Sequence, residues 1–284
     1  MIIFSSKICF ITYKFYIDNS NVFFIFVENM KKFISFSGGV ESTTMCILFG
    51  DKADAIFADT GFEHQQIYDR IELVEKWVQN FHRSDFKIHK VKNEKYGTLP
   101  EYIKSSHFYP NFKTRYCTRM FKIEPIDNFL KQFKSEGAEI MIGLNADEVG
   151  QRTGAHGLIP FVKYSYPLAD NGLNRTACIA ILKKVGLYPE FPPYMKRGGC
   201  IGCYYKSDKE YLAMAAINPE EFKKVQDIEE ELNEYFTTRN KFFSIRPTKK
   251  MSDIKQEALS SLFKPEEIYA TMNDATKCGV FCNR

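Results

Sequence analysis

The sequence predicts an α/β protein built on a doubly wound, mostly parallel sheet, with a smaller helical, cysteine-bearing region at its C-terminal end. Two observations carry this prediction. From Lys32 onward, short runs of β-branched and aromatic residues alternate with segments whose apolar residues recur every three or four positions. A turn containing Gly38 and Gly39 separates the first strand from the first helix. The 284 residues suffice for one large domain, or for one domain with an appendage.

The elements of the sheet domain follow in order from the hydrophobic pattern. Buried or alternating runs predict strands at residues 33–36, 55–58, 86–91 and 139–144. Helical spacing predicts helices at residues 42–49, along Ile67 to Val78, and at residues 123–133. Strands that alternate with helices in this way favour parallel pairing, since each helix carries the chain back to the start of the next strand.

Beyond residue 150 the pattern changes. Residues 150–157 are polar and glycine-rich, which predicts a loop, and a helix is predicted over residues 175–185. Three prolines then precede a Cys-x-x-Cys turn, after which residues 208–236 and 253–272 have helical patterns. The sequence therefore divides into residues 1–29, an α/β domain over 30–190 and a helical region over 191–284.

Residues 1–29 are rich in Phe, Ile and Tyr but are interrupted by charges, so they contain neither a signal-peptide core nor a membrane span. They are either an appended leader before a second start at Met30, or a real edge strand or partner-binding segment. Composition is ordinary elsewhere: 44% apolar, 26% charged and a net charge of +4, too small to indicate a polybasic nucleic-acid or membrane binder. Eight cysteines are too few for a disulfide scaffold, and we expect a cytoplasmic protein with no membrane association.

The strongest local signal is Ser37-Gly38-Gly39-Val40-Glu41-Ser42-Thr43, between strand and helix. Two glycines allow a sharp turn and a close approach to a ligand, so we expect a β-branched residue at Gly39 to disrupt it. The helix N-terminus that follows offers unpaired N–H groups to phosphate. The pattern is neither the nucleotide-triphosphate loop nor the dinucleotide fingerprint.

These residues resemble the Ser-Gly-Gly-x-Asp-Ser signature, the PP-loop, of the ATP pyrophosphatase and phosphoadenosine phosphosulfate (PAPS) reductase superfamily. The resemblance implies a Rossmann-like domain of the adenine nucleotide alpha hydrolase type. It implies that ATP or PAPS, with Mg²⁺, is held by Ser37, Gly38, Gly39, Glu41, Ser42 and Thr43. Glu41 departs from the signature, which has Asp there, and it keeps the same charge on a longer side chain.

Three further segments resemble motifs of the family, and they occur along this sequence in the same order as in the family. Asp59-Thr60-Gly61 is similar to the Asp-Thr-Gly segment of sulfonucleotide reductases, and Arg115 to Ile126 to the Cys-x-x-x-Lys-x-x-Pro stretch. Gly143 to Glu148, with Arg152, resembles the loop that closes on the nucleotide. The resemblance implies that these segments bind nucleotide through Asp59, Thr60, Gly61, Arg115, Arg119, Asp147 and Glu148, with Lys122 and Arg152 as catalytic residues. The alternatives are a helix-capping Asp59 and a solvated basic face.

Cys200 and Cys203 form a Cys-x-x-Cys turn among glycines, whose N–H groups can support metal-bound sulfur. A complete site for zinc or a [4Fe–4S] cluster needs four ligands. Cluster-bearing sulfonucleotide reductases have a Cys-Cys pair upstream, but here Tyr116 stands beside Cys117 in place of the second cysteine. We therefore predict Cys117, Cys178, Cys200 and Cys203 as ligands. The alternatives are a buried apolar Cys178 and inert thiols.

The sequence ends Lys277-Cys278-Gly279-Val280-Phe281-Cys282, which partly resembles the C-terminal Glu-Cys-Gly-Ile/Leu-His motif of sulfonucleotide reductases. The resemblance implies that Cys278 is a catalytic nucleophile, with Cys282 as its resolving partner. Extra metal ligands or terminal cysteines without function are the alternatives.

The resemblance implies an enzyme of sulfur chemistry, and ATP-dependent adenylylation followed by sulfur transfer is preferred because a full glycine turn suits a departing pyrophosphate. A PAPS or adenylyl-sulfate reductase that releases sulfite is the alternative. A non-catalytic nucleotide or nucleic-acid binding module with a structural metal is the third reading. Expected partners are an adenine nucleotide, a nucleic-acid acceptor, a thioredoxin-like electron donor and a second copy of the chain. The sequence shows no aromatic–basic ladder typical of single-strand binding.

Overall fold

A computed structural model describes residues 13–18, 21–26, 30–151, 159–195 and 199–260. Five parallel strands form the central sheet in the order β5-β4-β3-β6-β7. Phe33 of the middle strand pairs with Asp54 on one side and with Ile140 on the other. The strands are β3 Lys31–Phe36, β4 Asp54–Ala58, β5 Ile88–Val91, β6 Ala138–Met141 and β7 Val162–Ser165.

Both faces of the sheet are covered, because successive side chains of its strands point to opposite sides. Phe33 packs with Ile126 and Leu130 on one face, whereas Ile34 belongs to the larger core on the other face. The helices of this part are α1 Val40–Phe49, α2 Gln65–Phe81, α3 Leu99–Ser106, α4 Tyr116–Thr118, α5 Glu124–Leu130, α6 Pro167–Asp170 and α7 Arg175–Lys184. The predicted doubly wound α/β sheet is therefore confirmed.

Helices also dominate the described part of the C-terminal region, where the predicted segment 208–236 is two helices that meet at Asn218. They are α8 Asp208–Ile217, α9 Pro219–Thr237 and α10 Met251–Leu259. Pro219 can follow only at the start of a new helix, and the Asn218 side chain caps that start by accepting from Glu221 N at 3.1 Å. None of the described helices combines the length and apolar character that crossing a membrane requires.

Several boundaries differ from the sequence prediction. The α3 helix was missed, although Thr98 and Glu101 form a capping box that marks its start. The four-residue strand β7 was also missed, since it is too short to show a clear alternation. The predicted helix 123–133 is preceded by a π-helical turn, Arg119–Ile123, and ends in a 3₁₀ turn.

Two strands near the start of the chain, β1 Tyr13–Asp18 and β2 Asn21–Phe26, pair antiparallel. These two strands pair with each other in a separate sheet, so neither is an edge strand of the five-stranded sheet.

Candidate functional site

The strand order reverses at β3, which has β4 on one side and β6 on the other. In doubly wound sheets, ligands bind beyond the carboxyl ends of the strands at such a point. The loop after β3 contains Ser37 to Gly39, and the loop after β6 contains Gly143 to Glu148. The structure thus brings two of the predicted nucleotide segments to one crevice.

The glycine turn opens directly into helix α1. Gly38 has φ +75°, a left-handed conformation that favours glycine, whereas Gly39 is extended at φ −79°. Gly38 therefore supplies the left-handed angle of the turn, and Gly39 has an extended backbone that other residues also adopt. Ser42 Oγ lies 3.2 Å from Ser37 Oγ and accepts from Ser37 N at 3.2 Å. No side chain caps the N-terminus of α1, so its first N–H groups face the crevice without a side-chain acceptor.

A buried arginine supports this turn from behind. Arg70 Nε donates to Gly38 O at 2.9 Å, and its Nη2 donates to Thr43 Oγ1 at 3.0 Å and to Leu187 O at 3.1 Å. Burial lowers the pKa of Arg70 to about 10. Sequence analysis missed this residue, although an arginine between Ile67, Ile71 and Val74 on an apolar helix face is a usable signal.

Glu41, which stands where the family signature has Asp, is engaged with two groups of the protein. Its Oε1 accepts from Arg175 NH1 at 2.5 Å and from Asn145 Nδ2 at 3.2 Å. A side chain at Gly143 would meet Glu41 Cβ at 3.2 Å and Ser42 N at 3.3 Å, so the second loop packs directly on the first turn of α1. The longer arm of Glu41 thus joins the two sides of the crevice.

Asp147 and Glu148 have structural contacts in this loop. Glu148 is buried and accepts from Asn145 N at 3.5 Å in a capping box, and Asp147 Oδ2 accepts from Arg175 N at 3.2 Å at the start of α7. The predicted catalytic residue Arg152 lies outside the described residues.

The loop after β4 carries the third predicted segment. Asp59 Oδ1 accepts from Gly61 N at 2.8 Å and from Tyr68 Oη at 2.7 Å. Thr60 is buried, and its hydroxyl donates to Glu63 Oε1 at 3.0 Å. Asp59 also borders an open cavity of about 440 Å³ between β5 and α5, lined further by Lys90, Val91, Lys92, Glu94, Pro125, Asn128 and Phe129.

The Cys-x-x-Cys turn docks onto this same loop. Ile201 N donates to Phe62 O at 2.7 Å, Tyr109 Oη donates to Gly202 O at 2.5 Å and Tyr211 Oη donates to Cys203 O at 3.0 Å. These bonds hold the backbone of the turn from three directions, and they join the helical region to the sheet domain at the strand ends.

Cys200, Cys203 and Cys117 are brought together here, with Glu63 and Lys122 beside them. Cys200 Sγ donates to Glu63 Oε1 at 3.3 Å, and Lys122 Nζ lies 3.5 Å from the same oxygen. Burial raises the pKa of Cys200 well above its ordinary value, Glu63 and the neighbouring thiols raise it further, and Lys122 opposes them. Burial likewise raises the pKa of Cys117, as does Cys203. Sequence analysis did not single out Glu63, whose burial the pattern does not reveal.

A second buried cation lies close to the thiols. The Lys206 ammonium donates to the Tyr194 carbonyl oxygen, and burial lowers its pKa, against the influence of Glu210 and the two thiols of the turn. The charge of Lys122 lowers the pKa of Cys200 and of Cys117, but burial outweighs it, so the cluster as placed favours neutral thiols.

Cys178 lies elsewhere. It is fully buried in α7, and its carbonyl oxygen accepts from Thr44 Oγ1 at 3.4 Å. Burial raises the pKa of its thiol, Glu41 raises this pKa further, and Arg175 opposes the rise. The structure therefore places Cys178 behind the glycine turn and not beside the other three cysteines. Within the described residues no three His, Cys, Asp or Glu side chains are arranged to hold a metal ion. The predicted four-cysteine set is thus not assembled there.

Arg115 and Arg119 face different ways. Arg115 lies over the Tyr205 ring, 5.3 Å from its centroid, and Arg119 is exposed with Glu124 Oε1 at 3.4 Å. The predicted tail nucleophile Cys278 and its partner Cys282 lie outside the described residues.

Comparison with known proteins shows which proteins the sheet part of the chain is similar to. Residues 31–156 match the family model described as phosphoadenosine phosphosulfate reductase domain. An uncharacterized protein of Methanocaldococcus jannaschii is 25% identical over 202 residues, 68% of this chain and 46% of that protein, so the chain spans about half the length of this relative. The crystal structure of phosphoadenylyl-sulfate (PAPS) reductase from Candida auris in a phosphate complex is similar with a TM-score of 0.38 and 16% identity, over 57% of this chain and 74% of that chain. The family match includes the three strand-end segments described above, but not the Cys-x-x-Cys turn.

Proposed function

Because residues 31–156 match the model of the phosphoadenosine phosphosulfate reductase domain, we propose that the protein is a PP-loop enzyme that binds an adenine nucleotide at residues 37–43. The reaction that we propose is ATP-dependent adenylylation of an acceptor, followed by sulfur transfer.

The observation that carries this proposal is the geometry of the glycine turn. Gly38 takes its left-handed angle, α1 begins without a side-chain cap, and the hydroxyls of Ser37 and Ser42 lie at the same turn. Backbone N–H groups at a helix N-terminus bind phosphate oxygens and favour negative charge. Arg70 braces the turn from behind, so it is supported in a form that can receive linked phosphates.

In the proposed reaction an oxygen of the acceptor attacks the α-phosphorus of ATP. The bond from this phosphorus to the bridging oxygen breaks, and pyrophosphate leaves with the electron pair. The turn and Arg175 would stabilise the charge of the departing pyrophosphate. A sulfur nucleophile then attacks the activated atom of the acceptor, and AMP leaves.

The carboxylates near the turn are already engaged and supply no free set of magnesium ligands. Glu41 pairs with Arg175, Asp147 caps α7, and Asp59 accepts from Tyr68. We therefore regard Mg²⁺ as entering with the nucleotide, and no step is assigned to a protein-held magnesium ion.

Three of the four cysteines predicted as metal ligands lie close together, and Cys178 does not lie with them. Cys117, Cys200 and Cys203 are the donors that zinc or an iron–sulfur cluster would use, and Cys178 is left out of the set. As placed, Cys200 bonds to Glu63 and the three thiols do not form a ligand set, so no step is derived through a metal.

A sulfonucleotide reductase is the second candidate, favoured by one observation. The thiol cluster with Lys122 lies directly against the Asp59–Glu63 loop, at the carboxyl edge of the sheet where a bound nucleotide would present its sulfate. In this reaction a thiolate attacks the sulfate sulfur of the sulfonucleotide, the sulfur–oxygen bond to phosphate breaks, and the nucleotide leaves with the electron pair. A second thiolate then attacks the cysteine sulfur of the S-sulfocysteine, so that a disulfide forms as sulfite leaves.

The two candidates are distinguished by titration calorimetry of anaerobically purified protein. Mg–ATP, PAPS and adenylyl sulfate are the ligands, and Mg–GTP is the matched control for the base. We expect binding of Mg–ATP in preference to both sulfonucleotides and to Mg–GTP. Preference for a sulfonucleotide would contradict the ATP reaction in favour of reduction, and absence of binding by all of them would overturn the enzymatic proposal.

A further inference from the structure

Positive charge is concentrated in one segment of the chain. Residues 87–122 contain nine Lys and Arg and two Glu, a local charge of +7 in a chain whose net charge is +4. The rest of the chain is therefore slightly acidic. Glu231 pairs with Lys104 and Glu124 pairs with Arg119, which offsets part of this charge. Lys95 in the loop after β5 and Lys113 in the loop after α3 are exposed. An asymmetry of this kind indicates a polyanionic partner.

The same segment carries an uninterrupted series of ring contacts. The Tyr102 ring contacts those of Tyr96 and Tyr116, with centroids 5.2 and 5.3 Å away, and Phe108 lies 5.7 Å from Tyr116. Phe108 is 42% exposed and Phe112 is 60% exposed. Large aromatic side chains exposed next to each other are uncommon on a surface without a partner.

A second set of ring contacts joins Phe112 to residues that follow the Cys-x-x-Cys turn. Phe112 and Tyr204 have ring centroids 6.3 Å apart, and Tyr204 contacts Tyr205. Basic side chains lie over these rings: Lys113 over Phe112, Arg115 over Tyr205 and Arg246 over Tyr204. We call the surface formed by Phe108, Phe112, Lys113, Arg115, Tyr116, Tyr204 and Tyr205 the aromatic–basic surface. Its parts are far apart in sequence, which is why no ladder is visible there.

We infer that the aromatic–basic surface binds a single strand of nucleic acid and that this strand is the acceptor of the proposed sulfur transfer. The assignment as acceptor rests on the proposed function. Bases stack on aromatic rings irrespective of sequence, and interleaved cations follow the phosphate backbone. Tyr116 and Cys117 are adjacent, as are Cys203 and Tyr204. A strand on this surface would therefore pass beside the thiol cluster.

The observations favour a single strand over a duplex or an acidic protein. The bases of a duplex are paired and stack on one another, so they are not available to stack on Phe112, whereas unpaired bases are. An acidic peptide would match the charge but would leave the exposed rings without a planar partner.

The test is fluorescence anisotropy with the full chain and a labelled 20-nucleotide single strand of mixed sequence, as DNA and as RNA. Phe112→Ala removes the most exposed ring of the surface, and Phe81→Ala is its matched control, since Phe81 is 68% exposed at the C-terminal end of α2. Lys113→Glu is matched by Lys52→Glu, because Lys52 likewise lies over a phenylalanine ring, that of Phe49 at the C-terminal end of α1.

We expect Phe112→Ala to weaken single-strand binding about tenfold and Phe81→Ala to leave it unchanged. Lys113→Glu should weaken binding more at low salt than at high salt, and Lys52→Glu should have little effect. Equal affinity for a duplex of the same sequence, equal displacement by polyglutamate, or equal effects of Phe112→Ala and Phe81→Ala would overturn the inference.

Calorimetry with Mg–ATP on the same variants separates this inference from the proposed function. The surface variants should bind ATP as the unmodified chain does, because none of them touches the glycine turn. Intact ATP binding without strand binding would refute the inference alone. Strand binding without ATP binding would refute the adenylylation reaction and leave the surface assignment in place.

Discussion

Arg175 and Glu41, which are 134 residues apart in the sequence, form a hydrogen-bonded ion pair with NH1 2.5 Å from Oε1. The pair joins the first turn of α1 to the first turn of α7. Because Glu41 lies at the glycine turn, the pair holds the Arg175 guanidinium at the opening of the crevice. The Asp of the family signature, with a shorter side chain, would not reach as far.

This relationship predicts an energetic coupling between the two residues. In a double-mutant cycle with Glu41→Gln and Arg175→Met, we expect a coupling of about 0.5–1 kcal/mol, since both side chains are partly exposed. Urea unfolding of the four proteins measures it, and it should shrink in high salt. Additive effects of the two substitutions would show that the pair contributes nothing.

A second prediction separates the two glycines of the turn. Gly38→Ala places a side chain at φ +75° and against Ile67 Cδ1 at 3.2 Å, so it should lower both stability and nucleotide affinity. Gly39→Ala is compatible with the backbone and meets only Ser37 Oγ, at 3.5 Å. It should leave the melting temperature unchanged but weaken Mg–ATP binding at least tenfold, because its methyl group projects where phosphate would bind. Unaltered affinity in Gly39→Ala would remove the turn from the nucleotide site.

The fold was largely predictable because buried parallel strands and amphipathic helices leave strong periodic signals. Phe33 to Phe36 and Ala55 to Ala58 are such runs, and the structure gives strands over both. Elements of four residues, such as Val162–Ser165, carry too few positions for a period to emerge. Their strand character depends on pairing with β6, which only the folded chain provides.

The site was predictable only in its local parts. Ser37 to Thr43 are adjacent in sequence, so their turn is visible as a motif. Contacts between distant segments are not, as Arg70 behind the turn and Glu63 against Cys200 illustrate. Cys178 was assigned to the cysteine set by position along the chain, but its helix packs against α1, which places it behind the glycine turn.

Docking of the Cys-x-x-Cys turn gives a third prediction. A methyl group on Gly202 would lie 2.5 Å from both Phe62 Cε1 and Tyr109 Oη, and neither buried side chain has room to move. We expect Gly202→Ala to cost about 1–3 kcal/mol of the free energy of unfolding. Gly39→Ala serves as a sterically neutral control in the same urea titrations. Equal stability of the two variants would mean that the turn does not pack on the Phe62 loop.

The cysteines give a fourth prediction, measured as zinc and iron per chain after anaerobic purification. Cys178→Ser should retain the metal content of the unmodified protein, because that thiol lies apart from Cys117, Cys200 and Cys203. Cys203→Ser should lower the content of any zinc or iron that the unmodified protein binds, because Cys203 lies with Cys117 and Cys200. Loss of metal in Cys178→Ser with unchanged stability would restore Cys178 to the ligand set.

The fifth prediction concerns the pH dependence of stability at Asp127 on α5. Burial raises the pKa of this carboxyl to about 6, with Glu124 also raising it and Lys131 opposing. Since the unfolded chain ionises it near pH 4, stability from this group is complete below that pH and is lost as pH rises through 6. Asp127→Asn stays neutral at every pH and should therefore lack this loss. Relative to the unmodified protein, it should gain up to about 1 kcal/mol between pH 4.5 and pH 8, a small value because the side chain is only half-buried. Thermal unfolding at the two pH values measures the gain, and a difference between the proteins that does not change with pH would show that Asp127 ionises normally in the fold.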